Sequence, residues 1–207
     1  MENKFQVDGP DTADVTFIFA HGAGAGMDHG FMTEMADLIA SQGIRVVRFN
    51  FPYMIKRAED GKKRPPDRAP KLLEHFDEVI AEYGRGKVVI GGKSMGGRMA
   101  SLLHEREGIC GIVCMGFPFH PPGKPENFKG DHLAMMGTPC LILQGERDTF
   151  GRREEIAGFA LSESVTVDFI PDGDHSFKPR KASGFTEKSN LVLAAEKTVA
   201  FIREVTQ

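Results

Sequence analysis

The stretch Lys87–Leu103, KVVIGGKSMGGRMASLL, decides how the chain is read. Gly92-Lys93-Ser94 is the close of a phosphate-cradling Walker loop. Gly92 to Gly96 also spells G-x-S-x-G, the turn that presents a nucleophilic serine. A Walker loop needs an earlier glycine that lets the backbone wrap a phosphate. The required place holds Lys87, with Gly86 one residue too far, and Lys87 to Ile90 reads as a strand that leaves no room for the loop. The serine turn fits its surroundings: an apolar strand before, helical pattern after, and small residues on both sides of Ser94 where the sharp backbone turn demands them. At the start of that helix, Ser94 sits where free N–H groups favour negative charge.

The rest of the chain repeats the strand–helix alternation. Short β-rich runs cover Val15–Gly22, Ile44–Phe51, Lys87–Gly92, Gly111–Phe117, Pro139–Gly145 and Val165–Ile170, and FQVDG near the N-terminus is read as a short edge strand. Several runs are apolar nearly throughout, as suits strands covered on both faces. Helical spacing covers Gly30–Ser41, Lys71–Tyr83, Met95–Glu107, Arg152–Leu161 and Glu187–Val205. The alternation predicts an α/β, doubly wound, mostly parallel sheet of about six or seven strands with helices on both faces. With no repeat, low-complexity tract or linker, residues 1–207 read as one domain. Two Pro-, Gly- and charge-rich stretches, Tyr53–Pro70 and Phe117–His132, follow strands and are expected to be loops roofing an open cleft.

A serine hydroxyl needs a base, and the base needs an orienting acid. There are seven histidines. In the α/β-hydrolases, which this serine turn resembles, the chain order is serine, acid, histidine. His104 falls on the helix beyond the turn, and His120 and His132 precede any plausible acid. His175 follows the Val165–Ile170 strand, at the sheet's carboxyl edge. Asp148, just past the preceding strand, is the expected acid, with Asp172 and Asp174 read as turn residues. The amide of Met95, after the serine, and that of Ala23 or Gly24, in the glycine-rich loop after the first long strand, are the expected oxyanion donors. That glycine loop does not satisfy G-x-G-x-x-G, and the next strand, RVVRFNF, ends without an acidic residue, which argues against a dinucleotide.

Bulk properties narrow the partners. The net charge of −3 argues against nucleic acid, and Lys62-Lys63-Arg64 reads as a solvated loop. With three cysteines without C-x-x-C spacing, no evident apolar leader and no membrane-length apolar stretch, a cytoplasmic protein is the default expectation. His120 and His132 lack metal-ligand spacing, so no metal is expected. Arg48, Lys93, Arg98 and Arg147 lie near strand ends or the serine turn. Arg48 and Lys93 are carried as candidate contacts to a polar or anionic acyl substrate, against their reading as ordinary surface cations.

Ser94 in G-K-S-M-G, Asp148 after Q-G-E-R, His175 in D-G-D-H-S-F, and H-G-A-G together resemble the α/β-hydrolase superfamily, from about Val15 to the C-terminus. GGKSMGGRMAS and GERD resemble its dienelactone-hydrolase-like branch, closest to the small KANL/Tex-type hydrolases, many of them hydrolases by prediction only. The resemblance implies a Ser-His-Asp triad, a small-molecule acyl substrate and no cofactor. The spacing of Ser94 and Asp148 leaves no room for a cap domain. Ser94 stands where dienelactone hydrolases carry cysteine, a departure that argues against lactone chemistry. A thioesterase, a small peptidase, or a non-catalytic interaction module on the same scaffold are the alternatives.

Overall fold

The computed structural model describes residues 4–207. Strands β1 (Phe5–Asp8), β2 (Val15–Ala20), β3 (Arg45–Phe49), β4 (Lys87–Lys93), β5 (Ile109–Met115), β6 (Cys140–Gly145) and β7 (Val165–Ile170) form a 7-stranded sheet in the order β1-β3-β2-β4-β5-β6-β7. Only β1 runs antiparallel, pairing Phe5 with Phe49 through Asp8 with Val46 at the edge. The other neighbours are parallel.

The unbroken apolar strands now have a cause. Ile18, Val47, Ile90, Ile112 and Ile142 point to one buried layer, while Phe17, Val46, Val89, Val113 and Leu141 point to the other. Helices α1 (Gly30–Ala40) and α6 (Glu187–Val205) close the second layer; Met35, Ile39, Leu191 and Ile202 lie in it. Helices α2 (Pro52–Asp60), α3 (Ala69–Tyr83) and α4 (Met95–Leu102) close the first, the face that receives the α3 stripe of Leu72, Phe76, Val79 and Ile80. A strand covered on both faces cannot alternate polar and apolar residues, because every second side chain would bury an unpaired polar group.

Three expectations are corrected. The stretch from Tyr53 is not loop throughout: α2 begins with Pro52 in its first turn and stops at Gly61, whose φ of 69° closes the helix in the left-handed region. Its charge hid a helix that buries only Tyr53 and Met54. The helix after Ser94 ends at Leu102, not Glu107. The Arg152–Leu161 segment reduces to one turn, α5 (Arg153–Ile156), after which Phe159 packs on Phe119 and Phe128 at ring separations of 5.2 and 4.6 Å.

Candidate active site

The strand–helix junction after β4 sits at the sheet's centre, between β2 and β5. Ser94 there has φ 50° and ψ −116°, outside the comfortable regions for a residue with a side chain. Two backbone bonds hold it: Ser94 N donates to Met115 O at 2.9 Å and Arg98 N donates to Ser94 O at 3.0 Å. The flanking glycines are sterically required. A Cβ on Gly92 would stand 2.4 Å from the Gly96 carbonyl carbon, and one on Gly96 would stand 2.5 Å from the Ala20 oxygen.

Loops after β6 and β7 bring the other two expected residues to the same edge. Ser94 Oγ lies 2.8 Å from His175 Nε2, and His175 Nδ1 lies 2.8 Å from Asp148 Oδ2. Both Asp148 oxygens act as acceptors: Oδ2 also receives Gln144 Nε2 at 2.9 Å, and Oδ1 receives Phe150 N at 2.9 Å. Facing an acceptor, Nδ1 carries the proton, so the Nε2 lone pair faces the serine hydroxyl. Asp148 is fully buried, and the ring of Phe150 stacks on the imidazole at 4.2 Å. The loops interlock tightly, since a Cβ on Gly145 would stand 2.2 Å from Asp174 O. Asp172 and Asp174 serve the turn. Asp172 binds the Arg180 guanidinium, which holds its carboxyl down at about 2, and Asp174 Oδ1 accepts from Ser176 N and Lys178 N.

Gln144 was not foreseen. Besides Asp148, it bonds the Phe117 amide and carbonyl at 2.8 and 3.2 Å, fixing the acid against the neighbouring loop. Its sequence signal was one amide side chain in an otherwise apolar strand end.

The loop after β2 closes the site's other side. A Cβ on Gly22 would meet Ser94 Cβ at 3.7 Å, so this backbone lies against the serine. Its carbonyls are turned towards α2: Gly22 O receives His21 Nδ1 at 2.6 Å and Tyr53 Oη at 3.2 Å, Ala23 O receives Tyr53 Oη at 2.9 Å, and Gly24 O receives Arg57 Nη1 at 3.2 Å. In a trans peptide N–H points opposite to C=O, and no peptide here is cis. The amides of Ala23, Gly24 and Ala25 therefore turn away from α2. His21 Nε2 accepts Phe51 N at 3.0 Å, so this buried ring is neutral with its proton on Nδ1; burial drives its pKa down to about 4.

The candidate cations sort differently from expectation. Arg48 does not reach the site: it is buried on β3, its guanidinium pairing with Asp8 at 2.7 and 3.0 Å and donating to Met27 O at 2.7 Å. It had to be neutralised because both sheet faces are dry. Lys93 borders the pocket but is buried, its Nζ donating to His175 O and lying 5.3 Å from the Phe31 ring centre; burial lowers its pKa to about 8. Arg98 and Arg147 donate to the Lys129 and Asp172 carbonyls. His132 forms a second serine pair, Nε2 to Ser101 Oγ at 2.7 Å. Ser101 is fully buried and donates to Arg98 O at 2.8 Å, so this pair fastens the turn at Asp131–Met135 to α4 and no substrate reaches it. Among the described residues no group of three or more His, Cys, Asp or Glu could hold a metal, and the cysteines are free.

Beside Ser94 and His175 opens a pocket of about 310 Å³ walled by Ala25, Phe31, Met32 and Phe150. The loop at residues 117–132 is not its roof: Phe117, Phe119 and His120 are buried in the layer below.

The alpha/beta hydrolase domain model matches residues 13–203. The structure is similar to a dienelactone hydrolase from Anabaena variabilis (21% identity, TM-score 0.70, 97% of this chain and 90% of that one). It is also similar to an α/β serine hydrolase without a lid from Xanthomonas campestris (18%, 0.68, 97% and 88%) and to a monoacylglycerol lipase from Paleococcus ferrophilus (15%, 0.71, 97% and 100%). At these identities the likeness is one of fold. With the family model spanning nearly all of it, the chain belongs to the alpha/beta hydrolase domain family.

Proposed function

We propose that the protein is a serine hydrolase that cleaves a carboxylic ester or related acyl bond through an acyl-enzyme. Ser94 Oγ attacks the acyl carbon as its proton passes to His175 Nε2, and Asp148 steadies the imidazolium that forms. The amides of Met95 and Ala23, with Gly24 adjacent, receive the oxyanion. Collapse expels the leaving group with the proton from His175. Water activated by the same imidazole then attacks the acyl-enzyme, and Ser94 recovers its proton.

The observation that carries this reading is the unbroken relay from Ser94 through His175 to Asp148, with both imidazole nitrogens at 2.8 Å from their partners. The pinned carbonyls of residues 22–24 support the oxyanion assignment, since rigid donors cost no reorganisation when charge develops. Residues 1–207 act as one domain on a small-molecule acyl substrate in the cytoplasm, with neither nucleic acid nor membrane as partner and no cofactor. The net charge of −3 and the free cysteines support that setting, and no described helix is long and apolar enough to cross a membrane. A fluorophosphonate probe should label the protein, and Ser94→Ala should abolish labelling. A mutant that labels as well as the wild type refutes the assignment.

A further inference from the structure

The glycine-rich ridge of residues 23–24 separates two hollows. On one side lies the apolar pocket over Ser94. On the other, a concavity of about 420 Å³ is walled by Ala23, Gly24, Arg57, Lys63, Arg64 and Pro65. Both hollows share Ala23 and Gly24, so a ligand seated at Ser94 meets the second by crossing a single turn of backbone.

The second hollow is basic in an acidic protein. Three of its six lining residues, Arg57, Lys63 and Arg64, are cations, and the segment 56–68 that carries them holds six Lys and Arg against three Asp and Glu, while the whole chain carries −3. Its charges are unequally committed. Arg64 is held by Asp60 at 2.6 and 3.1 Å, and Asp67 pairs with Lys71 at 2.8 Å. Among the described residues the Arg57 guanidinium has one hydrogen bond, from Nη1 to the Gly24 carbonyl at 3.2 Å, and Lys63 has no ion-pair partner. Two stiff prolines, Pro65 and Pro66, follow these cations and restrict the backbone that presents them. By contrast the pocket over Ser94 has one cation, Lys93, already spent on His175 O.

We propose that the hollow between the ridge and residues 57–65 is a subsite for an anionic group, a phosphate or a carboxylate, borne by the acyl substrate at the end remote from its apolar portion. The apolar part occupies the pocket of Phe31, Met32 and Phe150. The scissile carbonyl lies at the ridge, and the anion lies against Lys63 and the free face of Arg57. The substrate is thus an amphiphilic acyl compound with one charged end. Where the scissile bond falls rests on the hydrolase reading above; the anion site itself does not.

The test separates the two. Ser94→Ala is titrated calorimetrically with hexyl phosphate, with heptanoate and with 1-hexanol, which share an apolar arm and differ in the charged end. Hexyl phosphate and heptanoate should bind more tightly than hexanol, phosphate most tightly for its greater charge. Lys63→Glu should weaken both anions by roughly tenfold, about 1.4 kcal/mol, with the effect shrinking as salt is raised. Lys87→Glu, at the amino end of β4 and so at the other end of that strand from Ser94, makes the same net charge change and should leave the order intact. Hexanol binding as well as hexyl phosphate, or the two substitutions acting alike, overturns the inference. In wild-type enzyme, kcat/KM for an anionic ester over its neutral match should exceed unity and fall with Lys63→Glu. Turnover without that preference removes the subsite alone. Anion binding without turnover or labelling keeps the subsite and removes the reaction.

Discussion

Lys93→Met separates what the site needs from what the fold prefers. The ammonium lies under the His175 loop, donating to the His175 carbonyl, between the rings of Phe31 and Phe177 at 5.3 and 6.0 Å. Burial brings its pKa down from 10.5 to about 8, only partly offset by Asp148 and Asp174. That fall corresponds to about 3 kcal/mol by which folding disfavours the charged form. The sign follows from proton binding. Between about pH 8 and 10.5 the unfolded chain holds a proton on this amine that the folded chain has released, so this group's penalty is full below pH 8 and is relieved as pH rises to 10.5. Methionine fills similar space without charge but forfeits the bond that the ammonium donates to His175 O, worth about 2 kcal/mol for a charged donor. At pH 7 the variant should therefore be more stable than the wild type by about 1 kcal/mol, and the gap should close by about pH 10. Its kcat should nevertheless fall by roughly tenfold, because the loop that aims the imidazole has lost its anchor. Urea unfolding at both pH values and ester kinetics at pH 7 measure the two effects. A variant less stable at pH 7, or a gap that does not move between pH 7 and 10, refutes the reasoning.

Other substitutions test the remaining parts. Asp148→Asn should cut kcat by roughly 10³–10⁴-fold at unchanged fold, because an amide can present a donor to Nδ1 and favour the wrong tautomer; hydrolysis of a p-nitrophenyl ester reads this, and a loss under tenfold counts against the relay. Tyr53→Phe removes the hydroxyl that holds the Gly22 and Ala23 carbonyls, at 3.2 and 2.9 Å, and should lower kcat by roughly tenfold with little change in KM. An unaltered kcat would mean that the amides are held by other means. Gly92→Ala should destabilise by about 3 kcal/mol or more, since its Cβ would stand 2.4 Å from the Gly96 carbonyl carbon, and thermal unfolding measures it.

How far the sequence could be read depended on whether a residue's meaning was local. The strands and the long helix Glu187–Val205 were legible because burial on both faces leaves unbroken apolar runs and a helical stripe survives in composition. The serine turn was legible because backbone strain demands glycine at fixed neighbours, and His175 and Asp148 followed from chain order and strand ends. α2 was missed because a short helix that buries only Tyr53 and Met54 is mostly polar, and its charged residues and following Lys62-Lys63-Arg64 looked like loop. Arg48 was misplaced for a related reason. Nearness to a strand end does not say which face the side chain takes, and its partner Asp8 lies 40 residues away on an edge strand.

The residues hidden deepest are the polar ones that hold the site from behind. His21, Gln144 and Lys93 each interrupt or end an apolar strand, where one polar side chain reads as noise. Each is buried, and each directs its hydrogen bonds to the backbone or acid that must not move: His21 to Gly22 O, Gln144 to Asp148, Lys93 to His175 O. Burying such groups costs stability unless every bond is made, which ties their geometry to that of the whole sheet edge. Gly22 and Asp148 stand close by in sequence, but the other partners, Phe51, Phe117 and His175, come from loops after other strands, so spacing along one segment does not announce the role. A polar residue at the carboxyl end of a strand buried on both faces is therefore better read as a support whose partner is elsewhere than as a candidate to touch substrate. Arg48, a candidate substrate contact by its place near a strand end, makes the point: its guanidinium is taken by Asp8 and the Met27 carbonyl.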